Sequence, residues 1–240
     1  MTITKQTYTS KAVGGLVGGS DGAITIQESY YNGNIEVYSQ GGGLIGQCGH
    51  NLTIENCWTA GSLTNGDGYY GALFGYSSGS STTVKISNCY STMSVSNTNQ
   101  GGQNAIGGLI GGSSTAGNTW NVSGLLAWNN SISIKTSTAT EGVIIGQIHP
   151  SGGTGTTSFT DCWYRYDLSY TKATTARTPA SVASCTEPNT QRFDGQKADS
   201  GVTCSAKATE LGWGSITNSD SQLVWNLDSG DYPTLKNLPE

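Results

Sequence analysis

Apolar and polar positions alternate along this chain in short bursts. Ile24-Thr25-Ile26, Leu52-Thr53-Ile54 and Val84-Lys85-Ile86 each place an apolar side chain at every second position. That period belongs to a half-buried strand. Between the bursts lie Gly, Asn and Ser turn signals such as Asn65-Gly66-Asp67-Gly68. No stretch carries the 3.6-residue period of a convincing amphipathic helix. The pattern predicts many short strands joined by turns.

The bursts sit inside an internal repeat, the first feature to seek in such a pattern. Gly15-Leu16-Val17-Gly18 recurs as Gly43-Leu44-Ile45-Gly46, Ala72-Leu73-Phe74-Gly75, Gly108-Leu109-Ile110-Gly111 and Val143-Ile144-Ile145-Gly146, at spacings of 28, 29, 36 and 35 residues. A second motif follows each copy. It opens on Ile26, Ile54, Ile86, Val122 or Phe159 and continues three residues later with Ser29, Cys57, Cys89, Leu125 or Cys162. Next come Tyr30, Trp58, Tyr90, Leu126 and Trp163, and then Ile35, Leu63, Val95, Ile132 and Leu168. A single copy cannot bury its apolar stripe, but stacked copies form one continuous narrow core.

The expected fold is therefore all-β: a single-stranded β-solenoid, parallel β-helix-like, of about five coils with a C-terminal capping segment. The Leu-apolar pair of each copy is read as one short inner strand with its glycines at tight corners. Residues 1–170 form the repeat solenoid, with Thr2-Ile3-Thr4 as an opening strand. Residues 171–207 read as a polar insertion, and 208–240 as a strand or cap completing the solenoid, because an unpaired solenoid end invites aggregation.

Composition fits this picture and narrows the function. The chain has 240 residues, 35 of them Gly, with only 11% charged and 35% hydrophobic. One thin core per rung needs few apolar residues. The net charge of −5 comes without a basic cluster, so no nucleic-acid partner is expected. No apolar run is long enough to span a membrane. Met1 is not followed by a signal-peptide pattern, so the chain is read as either cytosolic or a mature or trimmed fragment, and the composition favours the fragment.

Candidate chemistry is sparse. The column Tyr30, Trp58, Tyr90 and Trp163 is the best ligand-binding candidate: facing outward, it would offer flat apolar surfaces to glycans. The alternative is that these rings pack at a corner or under loops. Cys57, Cys89 and Cys162 share a slot with Ser29 and Leu125, which suits a small inward core position. Cys185 and Cys204 lie within the polar insertion, bracketing 18 of its residues, and form the candidate disulfide in an oxidising compartment. Glu28, Asn56, Asn88, Gly124 and Asp161 share one position, read as a turn or side-chain ladder. Glu28 and Glu55 could approach as a carboxylate pair, though nothing else supports glycoside hydrolysis. His50 and His149 are read as surface turn residues, too far apart to share a metal. No catalytic residue, cofactor or metal is assigned.

The Gly-Leu-apolar-Gly copies resemble the GLUG-motif repeats. Three copies fit fully, while Ala72 and Val143 depart at the first Gly and Ile144 at the Leu. The resemblance spans about residues 12–168. The ending Val224-Trp225-Asn226-Leu227 with Asp231-Tyr232-Pro233-Thr234-Leu235-Lys236 is similar to the segment that closes such repeats in bacterial surface proteins. The resemblance implies a non-catalytic, adhesin-like β-solenoid, extracellular or on the cell surface, with a glycan or a host or environmental protein as partner. The alternatives are a carbohydrate-active β-helix enzyme and an ice- or surface-binding solenoid. The enzyme would need clustered Asp, Lys or Arg on one face; the ice binder would need a regular Thr column, which fails after Thr25 and Thr53.

Overall fold

The computed structural model describes residues 2–3, 12–64, 68–97, 105–135, 139–149, 155–185 and 192–236. The Asn65–Asp67 part of the first expected turn, and Thr4 of the opening strand, lie outside them. The chain folds as an all-β parallel solenoid of five coils. Ala12–Gly14, Gln40–Gly42, Tyr69–Gly71, Ala105–Gly107 and Thr140–Gly142 stack in parallel as one sheet. Val17–Ser20, Ile45–Cys48, Phe74–Ser77, Ile110–Ser113 and Ile145–Gln147 form a second. The strands that begin at Ile24, Leu52, Thr83, Thr119 and Thr157 belong to a third, longer sheet.

Rungs stack in register, so like residues form columns through the core. Val17, Ile45, Phe74, Ile110 and Ile145 are successive partners. So are Ile26, Ile54, Ile86, Val122 and Phe159. Cys57, Cys89, Leu125 and Cys162 are fully buried in the same core, as the shared slot suggested. The Cys57 N–H donates to the Cys89 sulfur at 3.3 Å, and both are free thiols.

The Gly-Leu-apolar-Gly motif is half corner and half strand. Its Gly-Leu pair is the bend between the first two sheets, and its apolar third residue starts the second. The steric demand on its glycines extends one residue earlier, to Gly14, Gly42, Gly71, Gly107 and Gly142. A Cβ on Gly42 would sit 1.9 Å from the Ile45 carbonyl oxygen, and one on Gly107 1.8 Å from that of Ile110. Backbone crosses backbone there, and nothing larger than hydrogen fits. Leu44, Leu73 and Leu109 point into the core, whereas Leu16, on the first coil, is 47% exposed.

A second corner explains the column of Glu28, Asn56, Asn88, Gly124 and Asp161. All five have positive φ, between 46° and 61°. Asn, Asp and Gly tolerate the left-handed region best, because a short polar side chain or none avoids the Cβ–carbonyl clash. The single reversed residue breaks the alternation. It turns the Cys slot inward and the following aromatic outward.

The end of the stack differs from the expected division at 171–207 and 208–240. The polar segment itself closes the fifth coil. Ser184–Cys185 runs antiparallel to Phe159–Thr160, Phe193 bridges Ile145, and Gln196–Lys197 lies parallel to Trp163–Tyr164. Residues beyond 203 leave the axis and pack along its flank, where a helix absent from the sequence reading, Cys204–Glu210, begins. The Thr203 hydroxyl caps it by accepting from the Ala206 N–H at 3.1 Å. The fifth coil is also offset: Tyr170, not Leu168, pairs with Ile132. The Arg165–Leu168 turn takes up the extra residues, its Leu168 N–H bonding to the Arg165 carbonyl at 3.4 Å.

The left-handed corner makes a direct prediction. Asn56→Gly keeps stability within about 1 kcal/mol of the parent, since Gly adopts this φ freely. Asn56→Val, β-branched at positive φ, lowers it by about 1–3 kcal/mol. Urea unfolding of the two variants measures the difference.

Candidate functional site

The aromatic column forms as the repeat predicts. Tyr30, Trp58, Tyr90, Leu126 and Trp163 are register partners on successive rungs, pointing away from the main core. Tyr30, Trp58 and Tyr90 stack on one another, while Leu126 separates Trp163 from them. Tyr30 and Trp58 lie 4.6 Å apart at 9°, and Trp58 and Tyr90 5.9 Å apart at 10°. Rung spacing of about 4.8 Å dictates this contact. The consequence is chemical: the flat faces are spent on neighbouring rings, and the column presents edges outward. Tyr30, at 41% exposure, ends the stack.

The C-terminal segment covers most of that edge. Trp213 and Trp225 stack on each other 4.9 Å apart and pack against Tyr90 at 6.5 and 6.1 Å. The Tyr90 hydroxyl donates to the Pro233 carbonyl at 2.6 Å. Burial pushes this phenol far above its usual range, so it stays protonated and donates. Lys207 lies 3.9 Å from the Trp163 ring centroid, and its ammonium pairs with Glu210. Together with Leu126, Trp128, Cys204 and Val224 these residues form a second apolar cluster, outside the solenoid core. Of the four column aromatics proposed as binding residues, Tyr90 is therefore buried at 2% exposure, and Trp58 and Trp163 are half-buried.

The expected Cys185–Cys204 disulfide is not formed here. Cys204 is a buried free thiol. The capped helix turns it inward among the aromatics, and burial pushes its thiol well up. The Cys185 backbone pairs with Phe159 on the solenoid, and its side chain lies outside the described residues.

Other candidates are dispersed. Glu55 is held by Lys85 and accepts from Gln27 Nε2 at 2.8 Å. The Lys85 bond, opposed by burial, keeps its carboxyl below the usual range. Glu28 stands at the left-handed corner. His50 is exposed, but His149 is buried, contrary to the surface reading, with Nε2 3.2 Å from the Thr157 hydroxyl. Burial pushes its imidazole below the usual value. Thr25 and Thr53 are followed in register by Lys85, Asn121 and Ser158, so the Thr column is broken. Among the described residues no three His, Cys, Asp or Glu side chains group to hold a metal ion. No described helix is long and apolar enough to cross a membrane.

A concave site lies at the seam between solenoid and C-terminal segment. It is a cleft of about 190 Å³ whose lining includes Trp128, Arg165, Tyr166, Asp167, Asp231 and Tyr232. The Arg165 guanidinium grips Asp167 with two bonds, Nε to Oδ1 at 2.7 Å and a terminal nitrogen to Oδ2 at 3.0 Å. This holds the Asp167 carboxyl below the usual range and raises the guanidinium further. Tyr166 and Tyr232 are exposed and Trp128 is buried. The sequence signal was the turn that breaks the frame after Trp163, together with Asp231-Tyr232-Pro233. Neither belongs to the repeat.

The packing of the segment is testable. Trp225→Ala removes a fully buried ring, worth about 3–5 kcal/mol by comparison with other buried aromatic truncations. Limited proteolysis should then clip the chain after residue 203 while circular dichroism still reports the β-solenoid. Comparison with protein-family models, curated proteins and solved structures returns no match.

Proposed function

We propose that this chain is a non-catalytic, adhesin-like β-solenoid module, secreted or carried on a bacterial cell surface, that holds a glycan in the seam cleft. The observation that carries this reading is the lining of that cleft, where Tyr166, Tyr232 and Trp128 stand beside the Arg165–Asp167 pair and Asp231. A sugar ring offers C–H faces to aromatic rings and hydroxyls to carboxylates and guanidinium groups. The volume suits a single sugar ring rather than a drug-sized ligand. The resemblance to GLUG-motif repeats supports the surface setting, and the 11% charged content supports a binding role over catalysis.

A glycan array probed with the whole chain tests this reading. Tyr166→Ala and Tyr232→Ala should each weaken retention about tenfold, the loss expected when an anchoring aromatic is truncated. Tyr30→Ala, at the end of the stack, should leave binding unchanged. An array with no retained glycan, or binding indifferent to both cleft substitutions, contradicts the site. Release of cleaved sugar contradicts the non-catalytic role.

A further inference from the structure

The inner columns of the solenoid change character on the last coil. Tyr70 and Ile106 are followed in register by Glu141. Val95 and Ile132 are followed by Tyr170. Positions that are apolar core in earlier coils thus carry a carboxylate and a phenol at the capped end. Both are buried, at 2% and 5% exposure.

Three cations of the cap converge on Glu141. Lys172 Nζ donates to Oε2 at 2.6 Å and to the Ala139 carbonyl at 2.8 Å. Arg177 and Arg192 reach Oε1 at 3.2 and 3.3 Å. Among the described residues each guanidinium makes these bonds through one terminal nitrogen, Arg192 also touching the Glu141 carbonyl. Both arginine side chains are about half exposed, at 46% and 52%, and both line an open cleft. The second carboxylate, Asp194, is already satisfied: Oδ1 accepts from the Val143 N–H at 2.8 Å and Oδ2 from the Ala180 N–H at 3.0 Å.

Glu141, Arg177, Arg192 and Asp194 line this cleft, of about 150 Å³, with Lys172 behind it on Glu141. The lining itself holds two cations and two carboxylates, and Lys172, bonded to Glu141, brings the cluster to three cations against two carboxylates. Tyr170 lines the same cleft, and its hydroxyl is buried with no hydrogen-bond partner among the described residues. The Arg177 N–H donates to the Tyr170 carbonyl at 2.8 Å, fixing the two side by side. A buried hydroxyl without a partner is costly. Burial, aided by Glu141 and Asp194, keeps the phenol protonated and therefore a donor. The missing partner is an acceptor, and its setting is cationic.

We propose that the capped end of the solenoid is a binding site for one oxyanion group, held by the free N–H groups of Arg177 and Arg192 and by the Tyr170 hydroxyl. Planar guanidinium forks suit carboxylate, sulfate and phosphate alike. A free anion and a substituent of an acidic sugar both carry such a group, and the shared chemistry is the oxyanion. The cleft shares no lining residue with the seam cleft, so failure of the glycan reading leaves this site standing.

Thermal unfolding of the whole chain in millimolar sulfate, phosphate or glucuronate, against chloride at matched ionic strength, tests the proposal. At least one oxyanion should raise the midpoint by about 2–4 °C. Tyr170→Phe and Arg192→Gln should abolish that rise. Tyr170→Phe, which removes only the unpartnered hydroxyl, should keep the midpoint measured in chloride. The relative response to sulfate, phosphate and glucuronate tells a free inorganic anion from a sugar carboxylate. No rise with any of the three overturns the proposal, as does an equal rise in Tyr170→Phe, the mark of general salt stabilisation.

Discussion

Everything in this molecule depends on rungs stacking in register at the distance of a parallel sheet. That distance is short enough to make two corners sterically exacting. At one, Gly14, Gly42 and Gly107 cross the backbone three residues ahead, where a Cβ would fall within 2.0 Å of a carbonyl oxygen. At the other, one residue per coil takes positive φ. Neither corner contributes much attraction. Their role is to allow the ladders of hydrogen bonds and the apolar columns to line up, and those columns bury the core.

The left-handed corner also creates the surface that the C-terminal segment uses. By reversing one residue it sends the Cys slot into the core and the next side chain out. Repetition then stacks Tyr30, Trp58 and Tyr90 into a ladder with its edge exposed. An apolar edge of that size needs covering. Trp213 and Trp225 cover it, and in doing so they form the seam where the cleft lies. The proposed binding site is thus a by-product of capping an aromatic ladder, built by two parts of the chain that share no repeat.

The division between what was legible and what was not follows from that origin. Columns such as Ile26–Ile54–Ile86 and Cys57–Cys89 could be read directly, because a repeat converts sequence spacing into spatial contact. The column Asn56, Asn88, Asp161 and Gly124 also pointed to a turn, although Glu28 obscured its backbone meaning. The glycine column at Gly14 is hidden in the sequence because it abuts the motif that begins one residue later. Contacts outside the repeat left no such trace. Nothing in the spacing places Trp225 against Tyr90, and Cys204 looked like half of a disulfide because the seven-residue helix that turns it inward is too short to show a period. His149 and Leu168 were misplaced for a related reason: both lie where the final coil departs from the repeat frame.

The most direct test of the in-register stack is a pair of engineered disulfides on the outer face of the first two coils. Thr25 and Thr53 are register partners, about 4.8 Å apart by sheet spacing. Thr25 and Glu55 are offset by two residues, about 8 Å apart, beyond the reach of an unstrained disulfide. Thr25→Cys with Thr53→Cys should oxidise readily in the folded protein, and Thr25→Cys with Glu55→Cys should not. Equal oxidation of both pairs, or preference for the offset pair, would contradict the stacking on which the fold, the ladder and the seam depend.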